Sequence, residues 1–266
     1  MLSPRRLPRL DRGFNTADAS RADPPAQRVG AGDQTSRPSS SAQRTPRVHV
    51  AVDLSNVHFS AQLEPPASGG PAVRNPAVRL HVAQLASLIA SDPTSGEPRE
   101  VVEQWGATSA SVTRDALVQL WEQQGYTIRR LNPDASGQET GVDMTIHAVA
   151  LEWLAVRQYP AHVQPVLVLV TGDGNDNGGN ATTFPTIVEA AVRLGWRVEI
   201  YSWRCATHRR LAALAAEYEQ VELVHLDRWR DQLTFVQERA NPAARPGFGP
   251  RPPNPGPRPP NPGPRP

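Results

Sequence analysis

VLVLVTGDGNDNGGNATTF, residues 166–184, holds an uninterrupted apolar run that ends abruptly in a polar loop. Five apolar residues with no polar alternation fit a central strand of a parallel sheet, covered on both faces. The loop that follows carries two carboxylates, three side-chain amides and four glycines. In an open parallel sheet the ligand crevice lies beyond the carboxyl ends of the strands, so those oxygens fall where such folds place their chemistry.

Working outward, the same grammar repeats. RVHVAVDLSN (47–56) reads as a strand ending at Asp53, with Val48, Val50 and Val52 on one face. Residues 77–91 place Val78, Val82, Leu85, Leu88 and Ile89 at helical spacing. A short strand over 99–107 stops at the Gly106 position, and 111–126 is an amphipathic helix ended by Gly125. Strand 126–131, a loop over 132–141 and helix 142–158 follow. Beyond the opening stretch come helix 182–196, strand 197–203, helix 207–219 and strand 221–226. Strands that alternate with helices in this way imply a parallel sheet wrapped on both faces by right-handed crossovers.

Composition sets the limits of the folded part. Residues 1–46 and 233–266 are rich in Arg, Pro, Gly and Ser and poor in large apolar residues, so both are expected to be disordered tails around one domain at 47–232. The last stretch holds PNPGPRP twice, at 253–259 and 260–266, which suits a polyproline II spacer or peptide ligand. Charge divides the same way: the domain has 15 Arg against 21 acids, net −6, and each tail is net +4. Basic tails suit a polyanion such as nucleic acid, although they would also serve simply to keep the chain soluble.

Several chemistries are excluded by residue type. The chain has no Lys, so a Walker A phosphate loop is ruled out. A single Cys, Cys205, leaves no intrachain disulfide and no Cys-based zinc site. The seven His form no H-E-x-x-H pair, and Ser55 has no His base at a recognisable spacing. Asp173-x-Asn175-x-Asn177-Gly178 imitates the start of an EF-hand loop, but its twelfth position is Phe184, where a bidentate Glu is required. DLSN (53–56) lacks the second Asp of a haloacid-dehalogenase-type phosphatase. No apolar run reaches the roughly 18 residues of a membrane helix, and MLSPRRLPRL lacks an apolar signal core, so a cytoplasmic protein is expected.

Three acids remain at the expected edge: Asp53 at the end of the first strand, Asp143 at the start of a helix, and Asp173 just past the central strand. Carboxylates gathered there would repel one another unless a hard cation, Mg²⁺ or Mn²⁺, stood among them. Each also has a purely structural reading. Asp53 and Asp173 suit turns, and Thr140 with Asp143 matches a helix capping box.

AVDLSN (51–56), TGVDMTIHAVALEW (140–153) and LVTGDGNDNGG (169–179) resemble the three signatures of the NYN domain, a branch of the PIN-like nucleases. FPTIVEAAVRLGWRVEIYSW (184–203) resembles the helix and strand that follow the third. The resemblance covers about 47–226 and implies a three-layer α/β/α sandwich with a central, mostly parallel sheet and a metal-dependent ribonuclease site acting on RNA. By motif position, Asp53, Asp143 and Asp173 would coordinate Mg²⁺ or Mn²⁺, and Asn56 would orient the first Asp or the substrate. Asp176 would be the fourth acid; the common S-G-D-x-D-F form has it one position earlier, where Asn175 stands here. A Lys that the family often has before the second Asp is replaced in the region of Thr140. Thr171 and Asn175 could hold a carboxylate or phosphate oxygen. His58 and His147 lie near motif acids, with a satisfied, partly buried role expected for His147. Trp105 is the candidate stacking platform.

Three function classes follow. A metal-dependent endoribonuclease leads, a non-catalytic RNA-binding or adaptor module comes second, and a metal-dependent phosphatase or DNA nuclease is third.

Overall fold

Two of the strands read from the sequence, Thr45–Asp53 (β1) and Val163–Val170 (β7), lie side by side at the centre of a six-stranded parallel sheet. The computed structural model describes residues 45–64, 70–110, 115–132, 141–174 and 182–237. The chain divides into Met1–Ser41 and Ala42–Pro266, and all described residues belong to the second unit. The expected tails lie outside the described residues, apart from the stretches that β1 and the last elements absorb. Among the described residues, secondary structure starts at Thr45 and runs to Val236.

The remaining main strands are Glu100–Ser109 (β5), Thr127–Leu131 (β6), Arg197–Ser202 (β8) and Val221–His225 (β9), in the spatial order β6-β5-β1-β7-β8-β9. The chain builds outward from β1 in one direction and then returns to start again at β7. The doubly wound order therefore reverses between β1 and β7. Their carboxyl ends flank the crevice that such a reversal opens.

Alternation along the strands decides the two cores. Val48, Val50, Val52, Val166, Val168, Val170 and Tyr201 face helices Leu54–Ala61 (α1), Val82–Ile89 (α2), Asp115–Gln123 (α3) and Arg230–Leu233 (α7). Ala51, Leu167, Leu169, Val198 and Ile200 face Val142–Val156 (α4), Phe184–Arg193 (α5) and Arg209–Glu217 (α6). The result is the expected three-layer α/β/α sandwich. His49 shares the second face, fully buried among the rings of Trp153, Tyr159 and Trp196.

Three local expectations change. Residues 78–80 form a strand (β4), paired antiparallel with Thr234–Val236 (β10), and the helix begins only at Val82. The periodicity of Val78 was genuine burial, but on a strand. The strand expected to stop at Gly106 continues to Ser109, because a Cβ at Gly106 would lie 2.4 Å from Leu54 Cδ1 and 2.8 Å from Ile128 Cδ1. The glycine makes room for α1 to fold back over β5 instead of breaking the strand. Finally, Trp105 lies in the middle of this longer strand, paired with Ala51 and Thr127 and packed on the second core. It is therefore no strand-end platform, and Arg129 stacks over its ring. Two short strands, Leu63–Glu64 (β2) and Val73–Arg74 (β3), complete the fold.

Candidate active site at the carboxyl ends of the central strands

β1 and β7 pair in register up to Val52 and Val170, so Asp53 and Thr171 leave adjacent strands side by side. Asp53 is 5% exposed and acts as N-cap of α1, its Oδ1 accepting the Asn56 N–H at 2.9 Å. The turn role read from the sequence is thus a helix cap, which fixes the carboxylate at the mouth of the sheet. Asn56 then reaches across. Its Oδ1 accepts the Gly172 N–H at 2.9 Å, tying the start of α1 to the loop after β7. Its side chain orients the loop that carries the third acid, while its main chain orients the first.

That loop is held from three sides. The buried Thr171 hydroxyl accepts the Asp173 N–H at 3.1 Å, closing a short turn that presents the half-buried Asp173. The Gly172 carbonyl accepts the His208 N–H at 2.9 Å. A Cβ at Gly172 would stand 2.3 Å from the Ala206 carbonyl oxygen, and one at Gly174 would stand 2.5 Å from His208 Nδ1. The 206–208 segment leaves no room for a side chain at either position, through the Ala206 backbone at Gly172 and the His208 side chain at Gly174. The sequence offered no signal for this contact, since residues 204–208 read only as a short polar link between a strand and a helix.

Asp143 lies in the first turn of α4, whose N-cap is Gly141 at φ 82° with no side-chain cap. The capping box expected from Thr140 and Asp143 is therefore not the one used, and Thr140 itself lies outside the described residues. One turn further on, His147 is 3% exposed. Its Nδ1 is 3.1 Å from Thr182 Oγ1, its ring meets Phe184 edge-on, and its Nε2 has no hydrogen-bond partner. Burial pushes its pKa down to about 4, against the pull of the nearby Asp173 charge. The histidine is buried as expected but only half satisfied. Its proximity to Asp173 places the start of α4 over the same edge as β7.

Asn175 and Asp176 lie outside the described residues. Among the described residues, no group of three His, Cys, Asp and Glu side chains stands together in a way that could hold a metal ion. The donors that the ends of β1 and β7 carry are oxygens, the carboxylates of Asp53 and Asp173 and the hydroxyl of Thr171, while Asp143 is placed only in the first turn of α4. In kind they suit a hard divalent cation. A cleft of about 510 Å³ lined by Tyr159, Pro160, Leu194 and Trp196 opens near the amino end of β7, at the other end of the sheet.

No family model matches the chain, and no curated protein matches it. Among solved structures, it is similar to phosphofructokinase-2 from Escherichia coli in complex with potassium, at 13% identity and a TM-score of 0.29. The match covers 64% of this chain and spans 57% of that one. A similarity at this level carries no argument about function. Among the described residues, no helix is long and apolar enough to cross a membrane.

Proposed function

We propose that the protein is a metal-dependent ribonuclease of the NYN type, hydrolysing RNA phosphodiester bonds at the crevice between β1 and β7. The observation that carries this reading is the Asn56 bridge. One residue both donates to the Asp53 carboxylate and accepts from Gly172, so the first and third motif elements form a single constructed edge.

Asp53, Asp143 and Asp173 are the residues that would hold Mg²⁺ or Mn²⁺, with Asp176 as a further candidate. When bound, the cation would supply an activated water and offset charge on the leaving oxygen. The chain's own residues set the stage for this. The helix cap holds Asp53 in one rotamer, and the Thr171 hydroxyl fixes the main chain at Asp173. Burial also keeps bulk water from screening the Asp53 carboxylate. By motif position, Asn175 would orient a phosphate oxygen.

Cleavage of mixed single-stranded RNA with Mn²⁺, with and without EDTA, tests the proposal. Metal-dependent cleavage that Asp53→Asn and Asp173→Asn both abolish is expected. Activity that survives either substitution or chelation would overturn it. A second reading, an RNA-binding module without catalysis, is favoured by Asn175 standing where the motif has its fourth acid, by the missing Lys and by the basic tails. It requires binding that is indifferent both to EDTA and to Asp173→Asn.

A further inference from the structure

Two features stand apart from the candidate active site. One is the cleft of about 510 Å³ at the amino end of β7. The other is the PNPGPRP repeat at 253–259 and 260–266, which lies outside the described residues.

The cleft has the chemistry that extended proline segments bind. Tyr159 and Trp196 stand in its wall, their rings edge-on with centroids 5.8 Å apart. The Tyr159 hydroxyl is hydrogen-bonded to the fully buried His49, which holds the ring in one orientation. Pro160 and Pro165 add rigid apolar surface, and Leu194, 58% exposed just past the end of α5, adds an aliphatic side chain. Arg157 is also in the wall, and its charge is met by Glu103. Polyproline II segments make no internal hydrogen bonds and are already extended, so they dock in aromatic-lined grooves with little loss of chain entropy.

The chain carries such a segment within reach. Gln237 donates its N–H to the Ala77 carbonyl, which pins the end of β10. At about 3.1 Å per residue in polyproline II, the repeats begin after about 50 Å of further chain and end after about 90 Å. A domain of this size is about 40 Å across, so that length reaches around to any face. Charge acts in the same direction. The domain is net −6 and the C-terminal tail net +4, with one Arg in each repeat. The cleft also borders the C-terminal ends of α4 and α5, where the helix dipoles favour a cation.

We propose that this cleft is a docking site for the chain's own PNPGPRP tail. The cleft and the β1–β7 crevice lie at opposite ends of the sheet, so the docking stands or falls separately from the ribonuclease reading.

The test is fluorescence anisotropy with a fluorescein-labelled peptide of residues 253–266, titrated with full-length proteins. In one variant every proline from Pro252 to Pro266 is replaced by Ser, which keeps the length and charge of the tail. A tethered segment competes at an effective concentration of about a millimolar, so the serine-tail variant is expected to bind the peptide at least about tenfold more tightly than the wild type. Adding Leu194→Gln to the serine-tail variant is expected to weaken binding about tenfold through lost apolar burial. Leu120→Gln, a change at an equally accessible leucine of α3 in the opposite layer, should leave binding as it was. A serine-tail variant that does not bind the peptide overturns the proposal, as does a wild type that binds it equally well. Equal effects of Leu194→Gln and Leu120→Gln overturn the cleft as the site. Blocking in the wild type that grows with protein concentration assigns the tail to a second copy and overturns docking within one chain.

Discussion

The molecule buries carboxylates in two places and treats them differently. Glu199, in the middle of β8, is wholly enclosed, and Arg99 engages both of its oxygens at 2.6 Å from a position equally buried. The guanidinium also donates to the Ile89 carbonyl, and the Tyr201 hydroxyl and Arg197 reach the same carboxylate. Asp53, at the mouth of β1, is nearly as buried, yet a main-chain amide positions it. A bidentate arginine neutralises a carboxylate and ends its chemistry. An amide fixes the position of a carboxylate and leaves its negative charge in place. The first arrangement suits a structural acid, and the second suits one that meets a cation or a substrate.

The sharpest way to break this contrast is at the structural end. Glu199→Ala leaves the Arg99 charge buried without its partner, and should cost about 3–5 kcal/mol in urea unfolding. Replacing both residues together, Arg99→Met with Glu199→Leu, should recover most of that loss. A double variant as unstable as the single one would show that the pair contributes more than mutual neutralisation.

Acid should unfold the protein through other buried groups. His49 and His147 are both held neutral by burial, with pKa values pushed down to about 4 from 6.5. The unfolded chain takes up their protons between those values and the folded one does not. Their full contribution is therefore present above about pH 6.5 and is lost as pH falls toward 4. At pH 5 the loss is about 2 kcal/mol for each histidine. Unfolding free energies at pH 7.5 and pH 5 should differ accordingly, and His49→Phe should remove about half of the difference. A pH-independent stability would mean that water reaches both rings.

Much of this organisation is legible from residue patterns. The apolar runs at 48–52 and 166–170 need cover on both faces, and that requirement alone places them in the middle of a parallel sheet. Once they are central, Asp53 and Asp173 must emerge at one edge. The missing parts depend on tertiary contacts. Val78 fits a helix as well as a strand until β10 arrives from more than 150 residues away to pair with β4. Gly106 looks like a stop until Leu54 and Ile128 fill its missing side chain. Nothing in residues 204–208 announces that this link will lie against the Thr171–Gly174 loop. Arg99 and Glu199 are likewise 100 residues apart, and no local pattern joins them.

That hidden contact offers a smaller perturbation. Gly172→Ala drives a methyl group into the Ala206 carbonyl, where the obstacle is backbone and cannot swing aside. The expected cost is about 1–3 kcal/mol in stability, together with loss of cleavage as the loop shifts. Gly96→Ala makes a useful comparison. It lies in open space at positive φ, so it strains its own backbone without touching the candidate site and should leave any cleavage intact.

The smallest expected effect on stability is also the most informative about function. Asparagine caps a helix about as well as aspartate, because its amide oxygen accepts the same main-chain N–H. Asp53→Asn should therefore keep the Asn56 contact and change stability by less than about 0.5 kcal/mol, whereas Asp53→Ala should cost about 1 kcal/mol through loss of the cap. If Asp53 is present only to start α1, the Asn variant should behave as wild type in every assay. If its charge is the reason it stands at the β1–β7 crevice, the Asn variant should fold normally and lose both Mn²⁺-dependent RNA cleavage and the thermal stabilisation that Mn²⁺ gives the wild type. Measuring melting temperature with and without Mn²⁺, alongside cleavage, separates the two roles of one carboxylate. A wild type that Mn²⁺ does not stabilise would place Asp53 with Glu199 after all, as an acid kept for structure.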